Sequence, residues 1–395
     1  MLDGYMSVDI DGRIAYIRRD GVEPLREVST VLFDCDGVLI DARDSYNRSI
    51  SRTVAYLAKE LLKTPVSEEV ISDRVLYSFR KSGGFNNDWD TTYAILLYLF
   101  TRLPDGILDR FRELYRLFQK EGVPSEPYER GSKAKKLLAE AEDASEASDS
   151  IGLGLLNLAE KADSRGLISI EKALLKDDFG EALKGFTLLM SYPGRVGVST
   201  IMTVFEEFFL GSDLFYKKYG IRPRFAKDYP GLVTREKPLV EEGTLTLLAE
   251  MVGESSLGIV SGRSSLTAEF TLRGILKRFN TELTVFVEDD IAIALKNGDG
   301  ERVKEIGKPE PYALLRAEKS ASRSGRILYV GDSREDVLMV ERANSVTDRF
   351  IAAGVYGRTH SSRELMKMFI ENGAYLITES VNDLPRLLMM VREKV

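Results

Sequence analysis

The spacing of apolar residues changes character twice along the chain. VLFD at 31–34 is an unbroken apolar run ending on an acid, of the kind carried by central parallel strands buried on both faces. From about residue 44 to 230 the apolar positions recur at three and four. SYNRSISRTVAYLAKELL, DTTYAILLYLFTRL, DGILDRFRELYRLFQK, GSKAKKLLAEA and VGVSTIMTVFEEFFLG all predict helices, and no convincing strand interrupts them. From about 235 short apolar runs ending in Gly or polar residues return: LGIVSG (257–262), LTVFVED (283–289), RILYVGDS (326–333), RFIAAGVYG (349–357) and AYLITES (374–380). Helical patterns lie between them, so the expected class is α/β, a doubly wound, Rossmann-like parallel sheet with an enlarged α-helical insertion.

The boundaries follow from those changes. Residues 31–43 and 235–395 form the sheet-bearing core, and 44–234 form the helical insertion after the first strand. Residues 1–30 form an accessory, because SVDIDGRIAYIRRDG alternates apolar and polar positions about Asp11-Gly12, the pattern of a β-hairpin. The acidic, small-residue stretch LAEAEDASEASDSIG at 138–152 reads as a solvated helix end or loop.

Composition narrows the chemistry. The formal net charge of -7 argues against non-specific attraction to nucleic acid or an anionic membrane. The first residues have no sustained apolar core of a signal peptide and no apolar run reaches membrane-spanning length, so a cytoplasmic location is expected. One cysteine excludes an intramolecular disulfide, and one histidine excludes a multi-His or Cys/His zinc cluster. His360, after the GVYGRT turn, reads as a loop residue, which leaves acid–base work to carboxylates. Gln119 is the only glutamine while Glu, Lys and Arg abound, which fits a thermophilic source.

Ligands of open parallel sheets bind beyond the carboxyl ends of the strands. Three of the expected strands end in polar sets: Asp34-x-Asp36, Ser261-Gly262-Arg263, and Gly331-Asp332-Ser333-x-x-Asp336. Gly307-Lys308-Pro309 precedes the strand at 326. Brought together, these acids repel, and all-oxygen ligation of that kind selects Mg²⁺. Ser261, Gly262 and Lys308 then serve a phosphate, Asp34 serves as nucleophile, and Asp36 as general acid and base. Each motif alone has another reading: a turn for Asp34-x-Asp36, a helix cap for Ser261 to Arg263, a surface turn at Lys308, and an N-cap at Asp332.

Together these residues resemble the haloacid dehalogenase superfamily of phosphotransferases. The family's first motif stands as Asp34-Cys35-Asp36-Gly37-Val38-Leu39, its second as Ser261, its third as Lys308 before Pro309, and its fourth as Gly331 to Asp336. The resemblance implies Asp34 as nucleophile and metal ligand, and Asp36 as acid and base with its backbone carbonyl on the metal. It places Ser261 and Lys308 on the phosphate, and Asp332 and Asp336 on Mg²⁺. An acid at position 36 is similar to the phosphatases and mutases of the family. Cys35 reads as a buried core thiol.

The insertion is similar to the family's helical cap over roughly 44–125 and 195–230, with no counterpart for the middle. Substrate choice is expected there, with Arg80, Asn86, Asn87, Asp88 and Trp89 contacting the part of the substrate beyond the phosphate; the same stretch also reads as an N-capped helix start with Trp89 in the core. The expected function is Mg²⁺-dependent hydrolysis of a small phosphorylated metabolite through an aspartyl phosphate. The alternatives are a phosphomutase with the same core, a phosphonate hydrolase using Lys59, Lys63 or Lys81, and a scaffold whose helical insertion recruits a partner.

Overall fold

A computed structural model describes residues 4–85, 87–144, 147–175, 179–321, 324–357 and 362–393. The chain divides into two compact units, 1–43 with 236–395, and 44–235.

The first unit is built on a sheet. Its strands are β1 (Tyr5–Ile10), β2 (Arg13–Arg18), β3 (Val28–Phe33), β6 (Leu257–Ser261), β7 (Val285–Phe286), β8 (Arg326–Gly331), β9 (Phe350–Val355) and β10 (Leu376–Thr378); β4 (Ile40–Asp41) and β5 (Lys237–Pro238) form a separate two-stranded ladder. The spatial order is β1-β2-β10-β9-β8-β3-β6-β7. From β10 to β7 every neighbouring pair is parallel. This parallel sheet with helices between its strands is the α/β architecture expected.

The apolar runs explain why the sheet is buried. Val31, Leu32 and Phe33 of β3, and Ile259 and Val260 of β6, are wholly shielded from solvent. Strand β3 lies between β8 and β6, with later strands spreading to both sides of it. The chain order therefore reverses at β3, which is where such sheets open a crevice at their carboxyl edge.

The hairpin joins the edge of the sheet: Ile17 and Tyr16 of β2 pair antiparallel with Leu376 and Ile377 of β10. The Tyr5 hydroxyl donates to the Ala374 carbonyl at 2.7 Å, which fixes the outer strand as well. The run at 283–289 supplies only a two-residue strand, because a helix, Val287–Lys296, begins within it on three acids that favour a helix N-terminus.

The second unit is helical. The periodic segments form Arg43–Leu62, Asp88–Phe100, Asp105–Glu121, Pro127–Leu138 and Thr200–Tyr219, the last interrupted at Gly211. Asp73–Lys81, Ser148–Ala159, Leu167–Leu174 and Gly180–Met190 are further helices. Asp44 and Arg235, at the two ends of the unit, lie 3.4 Å apart as an ion pair. Arg130 is fully buried and bonded only through main-chain carbonyls among its described hydrogen bonds: those of Pro124, Ser125, Leu189 and Val198. No helix among the described residues is long and apolar enough to cross a membrane.

Candidate active site

The chain leaves β3 at Asp34 and turns at once. The amides of Val38, Leu39 and Ile40 all point to the Cys35 carbonyl, and Gly37 takes φ +75°. A side chain at Gly37 would bring a Cβ to 1.9 Å from an Asp332 carboxylate oxygen, so glycine is what lets the loop after β8 approach the loop after β3. The main-chain amide of Asp34 donates to the Val330 carbonyl of β8 at 2.9 Å, and that of Cys35 to Asp34 Oδ1 at 2.8 Å.

Asp34, Asp332 and Asp336 converge so that one carboxylate oxygen from each lies within 4.8 Å of the others. Lys308 Nζ bridges two of them, 2.8 Å from Asp34 Oδ2 and 2.8 Å from Asp336 Oδ1, and donates to the Tyr329 hydroxyl at 2.9 Å. Three partners use the three protons of the ammonium group, which pins it. Burial opposes its charge, but Asp336 and Asp34 outweigh burial and raise its pKa well above the usual lysine range.

The three acids are not equivalent. Asp336 is saturated: Oδ1 meets Lys308 and the Tyr329 hydroxyl, and Oδ2 accepts from the amides of Asp332 and Ser333 and the Ser333 hydroxyl. Burial raises its pKa, but Lys308 and the hydrogen bonds from Ser333 and Tyr329 prevail and hold it below the usual range. Burial, then Asp336 and Asp34, pushes Asp332 well above that range. Asp34 is raised by burial and by Asp336, against the pull of Lys308 and the Ser261 hydroxyl. Three carboxylates beside one ammonium resist being ionised together, and an all-oxygen donor set of this kind fits a hard divalent cation that would offset their charge. The residues suited to holding it are Asp34 and Asp332, with Asp336 steadying Lys308 and the Asp332 loop.

The Asp36 side chain is outside that cluster. It is 37% exposed, but Oδ1 is shut off from solvent and lies 3.2 Å from Nε of Arg263. Burial raises the carboxyl to about 7, with Arg263 pulling it down. Arg263 forms a two-pronged pair with Glu236, at 2.9 and 2.6 Å. Ser261 ends β6 and is buried, while the Gly262 α-carbon faces open space. Cys35 is buried, and burial pushes its thiol pKa up, which marks an inert thiol.

Arg80 donates to Asn47 at 2.8 Å and to Asp88 at 3.0 Å; Asn87 caps the helix that follows by accepting from the Trp89 amide at 2.9 Å; the Trp89 ring packs edge-on against Phe205. Those are the contacts of a capped helix start. Asn86 and His360 lie outside the described residues.

Tyr329, Arg263 and Glu236 were given no role from sequence. Tyr329 had a signal, as the one hydroxyl-bearing residue in the apolar run of β8. Arg263 follows Ser261-Gly262 directly. Nothing local marks Glu236, which reaches Arg263 only through the fold.

A cavity of about 320 Å³ lies beyond Gly37 and Val38, lined also by Arg13, Glu379 and Asn382. Arg13 is paired with buried Asp383, and Asn382 bonds Glu241, Thr244 and Leu239.

No family model matches the chain, and no curated protein matches it. A solved structure described as phosphatase Tt82 from Thermococcus thioreducens is similar over 87% of this chain and 99% of its own, at 20% identity and a TM-score of 0.42. That likeness is too distant to carry an activity across.

Proposed function

We propose that the chain is a phosphoric monoester hydrolase of the haloacid dehalogenase type, dependent on Mg²⁺ and acting on a small phosphorylated metabolite. One observation carries the reading: Asp34, Asp332 and Asp336 meet at the carboxyl edge of two adjacent parallel strands, with Lys308 bridging Asp34 and Asp336.

A divalent cation held by Asp34 and Asp332 would supply positive charge to offset that of the carboxylates and of a phosphoryl oxygen. Asp34 forms the new oxygen–phosphorus bond as the bond from phosphorus to the leaving oxygen breaks, giving an aspartyl phosphate. Asp36 donates its proton to the leaving alcohol. It then takes a proton from the water that attacks phosphorus, which frees inorganic phosphate and restores Asp34. Lys308 balances the charge of the transferring group, and the Ser261 hydroxyl and the open face of Gly262 receive its non-bridging oxygens. Choice among metabolites is assigned to the helical unit, with Arg80, Asn86, Asn87, Asp88 and Trp89 as its candidates.

The test is phosphate release from aryl phosphates and a panel of phosphorylated metabolites, with Mg²⁺ or with chelator. Activity that disappears with chelator and in Asp34→Asn supports the reading. Intramolecular phosphoryl transfer without release to water points to a mutase, and a folded wild type that transfers no phosphoryl group overturns the proposal.

A further inference from the structure

Arg263 and Glu236 have fully buried side chains, each 0% exposed. Two parallel contacts join them: Nη1 to Oε2 at 2.9 Å and Nη2 to Oε1 at 2.6 Å. The Thr271 hydroxyl, on the helix Ser265–Leu272, donates to Glu236 Oε2 at 2.8 Å and fixes the carboxylate from behind.

Such a pair is a poor device for stability alone. Taking two charges out of water costs several kcal/mol per ion, and apolar residues of similar volume commonly do as well. Its geometry suggests another use. The guanidinium is a rigid planar fork; its Nη edge is committed to Glu236, which turns the Nε edge toward Asp36 Oδ1, 3.2 Å away. The two atoms are close enough for an ion pair but lack the alignment of a hydrogen bond. Catalytic contacts of this kind often tighten only with substrate present.

We infer that Arg263, clasped by Glu236 and Thr271, is a positioning residue that orients the Asp36 carboxyl for proton transfer. The inference rests on the phosphatase reading. Oδ1 stays against the guanidinium, and Oδ2 carries the proton. As the phosphorus–oxygen bond breaks, the Oδ2 proton passes to the departing oxygen, leaving the Asp36 carboxylate facing Arg263. In the second step the proton of the attacking water returns to Oδ2.

The experiment compares phenyl phosphate with para-nitrophenyl phosphate, two substrates of similar shape. The nitrophenol leaves readily without a proton, whereas phenol, with a pKa of about 10 like tyrosine, needs one. The full-length protein is assayed with Mg²⁺ as wild type, as Asp36→Asn, and as the double variant Arg263→Met with Glu236→Met, which removes both buried charges together. The double variant is expected to lose about tenfold to a hundredfold in kcat/KM, which reports the first transfer and not the hydrolysis shared by both esters, on phenyl phosphate, and under about threefold on the nitrophenyl ester. Adding Asp36→Asn to it is expected to cost little more, because both changes disable one proton transfer.

Equal losses on the two substrates, or losses that multiply with Asp36→Asn, overturn the role. Should the double variant fail to fold by circular dichroism, Glu236→Gln and Thr271→Val loosen the clasp while keeping Arg263, and the same selective loss decides. A wild type inactive on both esters overturns the phosphatase reading and this role with it. An active wild type with uniform losses overturns the role alone.

Discussion

At the scale of single residues the site is a problem in charge, and substitutions expose how it is solved. Lys308→Ala leaves Asp34 and Asp336 buried without their shared cation. Unfolding in chelator is expected to show a loss of about 3 kcal/mol, and kcat a fall. Gly37→Ala places a methyl group against Asp332 and strains a left-handed backbone. Calorimetric titration with Mg²⁺ should show affinity reduced by about tenfold or more, by displacement of a donor. Gly12→Ala is the control: its φ is +83° with nothing within 4 Å of a new Cβ, so it is expected to cost about 1–2 kcal/mol of stability and leave affinity alone. The acids and Lys308 could be named from the sequence because each follows or precedes an apolar strand run. Which oxygen faces which partner could not, since Asp336 owes its saturation to Tyr329 and to the Ser333 cap.

At the scale of elements, legibility followed amphipathic contrast. The strands β3, β6, β8 and β9 stood out because burial on both faces demands uninterrupted apolar residues. The helices Asp73–Lys81, Ser148–Ala159, Leu167–Leu174 and Gly180–Met190 have no predicted counterpart: all are short, and glycines at 152, 154, 180 and 185 weaken the helical signal in two of them. Gly185 is retained for packing, since a Cβ there would meet the Phe111 carbonyl oxygen at 2.2 Å. The stretch at 80–90 allowed two readings because a cap and a ligand contact call on the same amides and acids. Its observed contacts make a prediction: Asn87→Ala removes the cap of Asp88–Phe100 and should lower the denaturation free energy by about 1 kcal/mol, measured in urea. Turnover of a minimal aryl phosphate should not change.

At the scale of the whole molecule, the acids link stability to pH and to metal. Asp34, Asp332 and Asp36 have folded pKa values above 3.8, so the stability each contributes is present below that pH and is lost as pH rises through the folded value, about 7 for Asp36. Asp336 is shifted the other way, so its contribution is present above about pH 4 and is lost only as pH falls through its folded value. In chelator, stability is therefore expected to decline between about pH 4 and 7. Added Mg²⁺ needs ionised ligands, so it should raise Tm more at pH 8 than at pH 5, by differential scanning fluorimetry; equal shifts would remove the acids as its site.

The paired ends of the helical unit bear on how the chain folds. Val31 must find Leu257 across the whole insertion, a closure whose entropic cost grows with the length of free chain between them. Once the helices have packed and Asp44 stands beside Arg235, that length of chain no longer counts, and the first strand meets its neighbours as though they were close in sequence. Changes that loosen the helices are therefore expected to slow strand pairing even where they touch no strand, and stopped-flow refolding that leaves the rate unchanged would remove the dependence.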